Sequence, residues 1–259
     1  MRFALGIEYD GSSFCGWQSQ AGGGAVQDAV EAALSVVADA PVRVVCAGRT
    51  DAGVHAIEQV VHFDTDALRS DTAWVRGVNT HLPASVAVRW VREVTDEFHA
   101  RFSARGRRYR YLLLNREQRP GLHAGRVGWH HHPLDEEAMA RAAALLPGER
   151  DFSVFRAAEC QARSPIKRLS EAAVTRRGNL IVFDFAASAF LHHMVRNMVG
   201  ALVYVGKGVK PPEWIDDLLA SRNRSRAAPT FAAAGLYFVG VDYDPLWNLN
   251  MTPGDIELL

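Results

Sequence analysis

The chain has 259 residues, 48% apolar and 22% charged, with a formal net charge of zero, a balance that suits a globular protein with one large core or two modest ones. No apolar run approaches the length of a membrane span, and Met1 to Ile7 reads as a strand, not as the layout of a cleavable signal. Cys15, Cys46 and Cys160 are odd in number and far apart, which argues against a disulfide framework or a Cys-x-x-Cys zinc site and suits reduced thiols in a cytoplasmic protein.

In chain order, residues 2–9 alternate as a strand. Asp10 to Gly24 is a polar, glycine-rich loop holding Phe14, Trp17 and Gln18. Val26 to Ala38 places Val26, Val30, Ala33, Leu34 and Val37 on one helical face. The strand Val42 to Cys46 then leads into Ala47-Gly48-Arg49-Thr50-Asp51-Ala52-Gly53-Val54-His55-Ala56, and Gln59 to Phe63 is the next strand. Two glycines permit a tight turn around one arginine, one threonine and one carboxylate. Alone, this window reads either as a solvated hairpin connection or as a loop presenting a binding or catalytic group. A helix at 71–82 and a strand at 86–94 complete a β-α-β-β-α-β order, a ferredoxin-like unit.

The second half reads similarly. Strands are expected at 107–115 and 127–131, and a helix opens at Asp135-Glu136-Glu137 and runs to Leu146. Strands at 167–176 and 180–187 flank the hairpin signal Gly178-Asn179. A helix spans Phe190 to Val205, a short one follows Pro211-Pro212, and Leu236 to Val241 closes the half as a strand. The expected fold class is α/β (α+β): two ferredoxin-like halves, 1–104 and 105–259, joined through a central, mostly antiparallel sheet.

The zero net charge conceals an asymmetry. Residues 1–100 hold 7 basic and 13 acidic side chains, whereas residues 101–226 hold 22 and 12. Seven arginines face one acid, Glu117, between Arg101 and Arg119. On a strand there, Tyr109 and Tyr111 share one face and Arg108 and Arg110 the other. That pattern fits either a nucleic-acid surface, with phosphates on guanidiniums and a base on a ring, or buried tyrosines with solvated arginines. Arg196, mid-helix beside His192, His193 and Asn197, is either a surface residue or a fixed cation for a carboxylate or phosphate. Arg222, Arg224 and Arg226 read as an alternating basic loop, either solvated or touching phosphate. His130-His131-His132 alternate on a strand and make a poor chelate, so no metal site is expected.

Taken together, these segments resemble the tRNA pseudouridine synthase A family. The resemblance rests on the loop Ala47–His55 together with Gly6-Ile7-Glu8-Tyr9-Asp10-Gly11, Gly16-Trp17-Gln18, Phe98-His99-Ala100-Arg101-Phe102-Ser103-Ala104, Arg107-Arg108-Tyr109-Arg110-Tyr111, His192-His193-Met194-Val195-Arg196-Asn197 and Gly235-Leu236-Tyr237. It implies the pseudouridine synthase fold and isomerisation of uridine to pseudouridine at positions 38, 39 and 40 of the tRNA anticodon stem-loop, without cofactor or metal, by a cytoplasmic homodimer. It further implies that Asp51 is the catalytic nucleophile, that Tyr109 stacks on the target base and that Arg196 is the basic partner of the aspartate. Arg49 would help hold the flipped nucleotide, and Leu236 would line the pocket. Ser19 stands where many relatives carry Arg. The alternative on the same scaffold is a non-catalytic RNA-binding protein.

Overall fold

The computed structural model describes residues 1–249. Residues 250–259, with Asp255 and Glu257 of the acidic C-terminal stretch, lie outside the described residues. In chain order the regular elements are β1 (Arg2–Tyr9), α1 (Val26–Ala38), β2 (Val45–Cys46), β3 (His55–Asp64), α2 (Asp71–His81), β4 (Val86–Val94), β5 (Ala104–Asn115), β6 (Gly128–His130), α3 (Glu136–Ala143), β7 (Gly148–Asp151), β8 (Ile166–Arg177), β9 (Leu180–Ala187), α4 (Met194–Gly206), α5 (Trp214–Ser221) and β10 (Leu236–Tyr243). The α/β class expected from the sequence is the one found. The chain forms two compact units, Met1–Gly106 together with the chain from Tyr237 onward, and Arg107–Leu236.

In the first unit, β1 lies between β4 and β3, antiparallel to both, with Leu5 opposite Val91 and Val61. Alternation along β1 sends Phe3, Leu5, Ile7 and Tyr9 to one buried face. There Phe3 stacks on Phe63 at 5.5 Å, and Trp74 of α2 meets Phe63 edge-on at 5.3 Å. Helix α1 buries Val26, Val30, Ala33 and Leu34, and Ser70 Oγ caps α2 by accepting the Ala73 N–H. The expected strand at 42–46 shortens to two residues. The Val42 and Val44 N–H groups donate instead to Ser35 Oγ and Glu31 Oε1 of α1, at 2.9 and 3.0 Å, so they are unavailable to a sheet ladder.

β10 corrects the sequence reading. That strand was expected to close the second half, yet from Tyr237 it runs parallel to β3, with Tyr237 opposite His55 and Phe238 opposite Ala56. The side of β3 away from β1 is thus divided: β10 pairs at its start, and β2 pairs at Val61 and His62.

In the second unit the order is β5-β9-β8-β7, with each neighbouring pair antiparallel, and β6 is parallel to β5 on its other side. The β8–β9 hairpin turns at Gly178, φ +59°, as its sequence predicts. β7, Gly148-Glu149-Arg150-Asp151, carries no apolar alternation and was not legible. Asp135 caps α3 through the Ala138 N–H at 2.9 Å. Helix α4 begins at Met194, later than expected. His192 and His193 lie in the turn before it, because the His192 N–H donates to Cys160 Sγ and its C=O accepts the Ala157 N–H, and His193 is left-handed at φ +61°.

Candidate active site

In the first unit, the loop between β2 and β3 presents Asp51, half-buried, and Arg49, exposed. Its backbone is tied down on every side. The Ala47 N–H donates to Val60 O at 2.8 Å, and the Trp17 N–H donates to Thr50 O at 3.0 Å. The Val54 N–H closes the turn on Asp51 O at 3.1 Å, and Gly53 supplies the left-handed residue, φ +74°. Gln59, fully buried, reads the Gly48 peptide from both sides: its Nε2 donates to Gly48 O at 2.6 Å and its Oε1 accepts the Gly48 N–H at 3.4 Å. Thr50 Oγ1 meets the buried Tyr9 hydroxyl at 2.7 Å.

The polar loop 10–24 supports this one. Gly16 lies at φ +93°, and a Cβ there would fall 2.7 Å from Thr50 O, so only glycine permits the approach. Tyr9 packs against Trp17, ring centroids 5.9 Å apart. His55, whose spacing from Asp51 invites a ligand reading, is buried instead. Its Nδ1 accepts the Gly11 N–H at 3.1 Å, and its ring stacks on Tyr237 at 4.6 Å.

In the second unit, β5 sorts its side chains as alternation requires. Tyr109 and Tyr111 point inward: Tyr109 meets Phe190 edge-on at 4.9 Å, and the Tyr111 hydroxyl donates to Ala232 O at 2.9 Å. Burial pushes the Tyr111 phenol well above its ordinary pKa, with the Arg196 charge opposing. The arginines on the other face are partnered within the protein, Arg110 with Asp184 at 2.7 Å.

Arg196 sits in the first turn of α4. Its Nε donates to Phe231 O at 2.9 Å, and the Phe231 N–H returns a bond to Arg196 O at 3.2 Å. The Phe231 ring meets Tyr111 edge-on at 5.7 Å, so Phe231 links the arginine to the tyrosine face. The segment carrying Phe231 is strapped to α4 by Asn197, fully buried, whose Oδ1 accepts from Arg224 Nη2 at 3.0 Å and from Thr230 Oγ1 at 2.7 Å. Arg224 therefore does not belong to a solvated basic loop; it spends its donors on Asn197, Thr230 and Ala228 O, and burial lowers its pKa. Leu236, 5% exposed, follows on the same strap and donates its N–H to Ala233 O at 2.8 Å.

The sequence-chosen residues thus fall into two groups. Arg49 and Asp51 share one loop of the first unit; Tyr109, Arg196 and Leu236 belong to the second. Sequence reasoning missed the supporting hydroxyl and amides of Tyr9, Gln59 and Asn197. Only the presence of polar tips within apolar patterns marked them.

A family model described as tRNA pseudouridine synthase matches residues 6–103 and 142–244. The chain is 67% identical over 249 residues to tRNA pseudouridine synthase A of Dechloromonas aromatica (strain RCB), covering 96% of this chain and 95% of that one. It is 61% identical over 243 residues to tRNA pseudouridine synthase A of Thiobacillus denitrificans (strain ATCC 25259 / T1), 94% of each. A third relative, tRNA pseudouridine synthase A of Methylobacillus flagellatus, is 58% identical over 258 residues, 100% of this chain and 99% of that one.

Proposed function

Because this chain belongs to the tRNA pseudouridine synthase family, we propose that Asp51 is its nucleophile and that its targets are uridines 38, 39 and 40 of the anticodon stem-loop. The enzyme isomerises uridine to pseudouridine in tRNA. The reaction breaks the ribose C1′–N1 bond, turns the uracil, joins C1′ to C5, releases the C5 proton and leaves N1 protonated, so that substrate and product are isomers. One carboxylate suffices, because the uracil is retained and no water has to be activated; related glycosidic chemistry also relies on Asp or Glu. The observation that carries this reading is the loop itself: Asp51 is the single carboxylate between Gly48 and Gly53, on a backbone pinned at Ala47, Gly48, Thr50 and Val54.

A base in the duplex stack is out of reach of a carboxylate on a protein loop, so the uridine is flipped outward. Tyr109 supplies the ring against the flipped base, Leu236 an apolar wall, Arg196 the cation that partners the aspartate, and Arg49 a contact to the extruded nucleotide. The enzyme works in the cytoplasm as a homodimer and needs neither cofactor nor metal, so dialysis against EDTA should leave the rate of pseudouridine formation unchanged. No helix among the described residues is long and apolar enough to cross a membrane. Asp51→Asn should bind tRNA normally but release no tritium from C5-labelled uridine. Full turnover by that variant overturns the assignment of Asp51.

A further inference from the structure

Tyr9 has no part in the chemistry above, yet its hydroxyl is buried against the catalytic loop. The side chain is 4% exposed, enclosed by Trp17 on one side. Its hydroxyl is hydrogen-bonded to Thr50 Oγ1 at 2.7 Å. One phenol oxygen on β1 is therefore tied to the residue preceding Asp51. Thr50 is held from its backbone as well, through the Trp17 N–H, and Gly16 closes against that same carbonyl.

From this geometry we infer that Tyr9 is a positioning residue for the nucleophile: through Thr50 it sets the backbone that leads into Asp51, and so where the carboxylate stands. The inference rests on Asp51 being the nucleophile. A core tyrosine needs only ring packing, which phenylalanine supplies equally. The Tyr9 hydroxyl instead satisfies Thr50 Oγ1, a group 7% exposed, and a buried polar atom deprived of its partner seeks another at the expense of local geometry. Small displacements of a reacting group are costly to rate while leaving distant substrate contacts intact.

The test is Tyr9→Phe, which keeps the ring and removes one oxygen. Expected is a fall in kcat and in single-turnover rate of about ten-fold, the rate equivalent of one net hydrogen bond, with KM and the tRNA dissociation constant within two-fold of wild type. Thr50→Val, which removes the partner hydroxyl at constant shape, should lower kcat similarly. The double variant should fall no further than either single one, since both remove the same bond. Val78→Ala, on the buried face of α2, controls for lost stability and should leave kcat unchanged. Unaltered kcat in Tyr9→Phe, or additive losses in the double variant, overturns the inference alone while Asp51→Asn stays inactive. A kcat loss in Val78→Ala matching that of Tyr9→Phe reduces Tyr9 to a packing residue. An active Asp51→Asn enzyme overturns both readings.

Discussion

At the residue scale, the groups proposed to do chemistry and the groups that hold them left different traces in the sequence. Asp51 and Arg49 stand out because a charged pair between two glycines serves no packing purpose. Tyr9 does not, because it occupies an inward position of an alternating strand, and its partner lies 41 residues away. His62 belongs to the second kind. It is 5% exposed, and its Nδ1 accepts the Ala100 N–H at 3.1 Å, which requires the neutral ring. Burial, then the neighbouring His99 and Arg2, push its pKa down to about 4. An unfolded imidazole titrates near about 6.5, so the unfolded chain binds more protons between roughly pH 6.5 and pH 4. Stability is therefore full above that window and falls as pH drops through it, by on the order of 3 kcal/mol. Denaturant midpoints followed from pH 7 to 4 check this. His62→Gln, which can still accept the Ala100 N–H but does not titrate, should show a shallower decline, and an unchanged slope would refute the role given to His62.

At the element scale, hydrophobic periodicity located the long elements and failed where side chains outside the element decide its length. Helix α1 stands where its apolar face places it. β2 is cut short because Ser35 and Glu31 of that helix take the backbone donors a longer strand would need. The start of α4 is delayed by Cys160 and Ala157, which bond the His192 backbone. Neither effect is written in the local pattern. The contact between the 10–24 loop and the Asp51 loop is equally non-local, and its narrowest point is Gly16. Gly16→Ala places a Cβ against Thr50 O and forces φ +93° on a residue that resists it. It should destabilise the protein by about 1–3 kcal/mol and lower kcat, because the displaced carbonyl adjoins Asp51. Thermal unfolding and steady-state rates on the same preparation check it; wild-type values in both would show that the loops separate without consequence.

At the scale of the whole molecule, the charge asymmetry divides between the two units. The first unit, with the chain from Tyr237 onward, carries 9 basic and 17 acidic residues, and the second carries 20 and 12. The two balances are −8 and +8. The second unit is thus the electrostatic side for a polyanion, and binding of tRNA should be strongly salt-dependent. With four counterions released, affinity should fall roughly a hundred-fold between about 50 and 200 mM salt; a flat profile in a filter-binding titration would refute it. Although the second unit, with β6 and β7 added and β10 lost to the first, does not repeat the β-α-β-β-α-β order, the α/β class was legible because strand and helix periods alternate along the chain. The destination of the last strand was not, since nothing in Leu236–Tyr243 records which strand it will join. That strand also has a consequence for biosynthesis. The first unit is interrupted by the 130 residues from Arg107 to Leu236, which take a ribosome roughly 7–26 s to add. For that interval the start of β3, immediately after the Asp51 loop, emerges without its parallel neighbour, and His55 lacks the ring of Tyr237. The Asp51 loop is thus synthesised well before the strand that walls the residue at its exit.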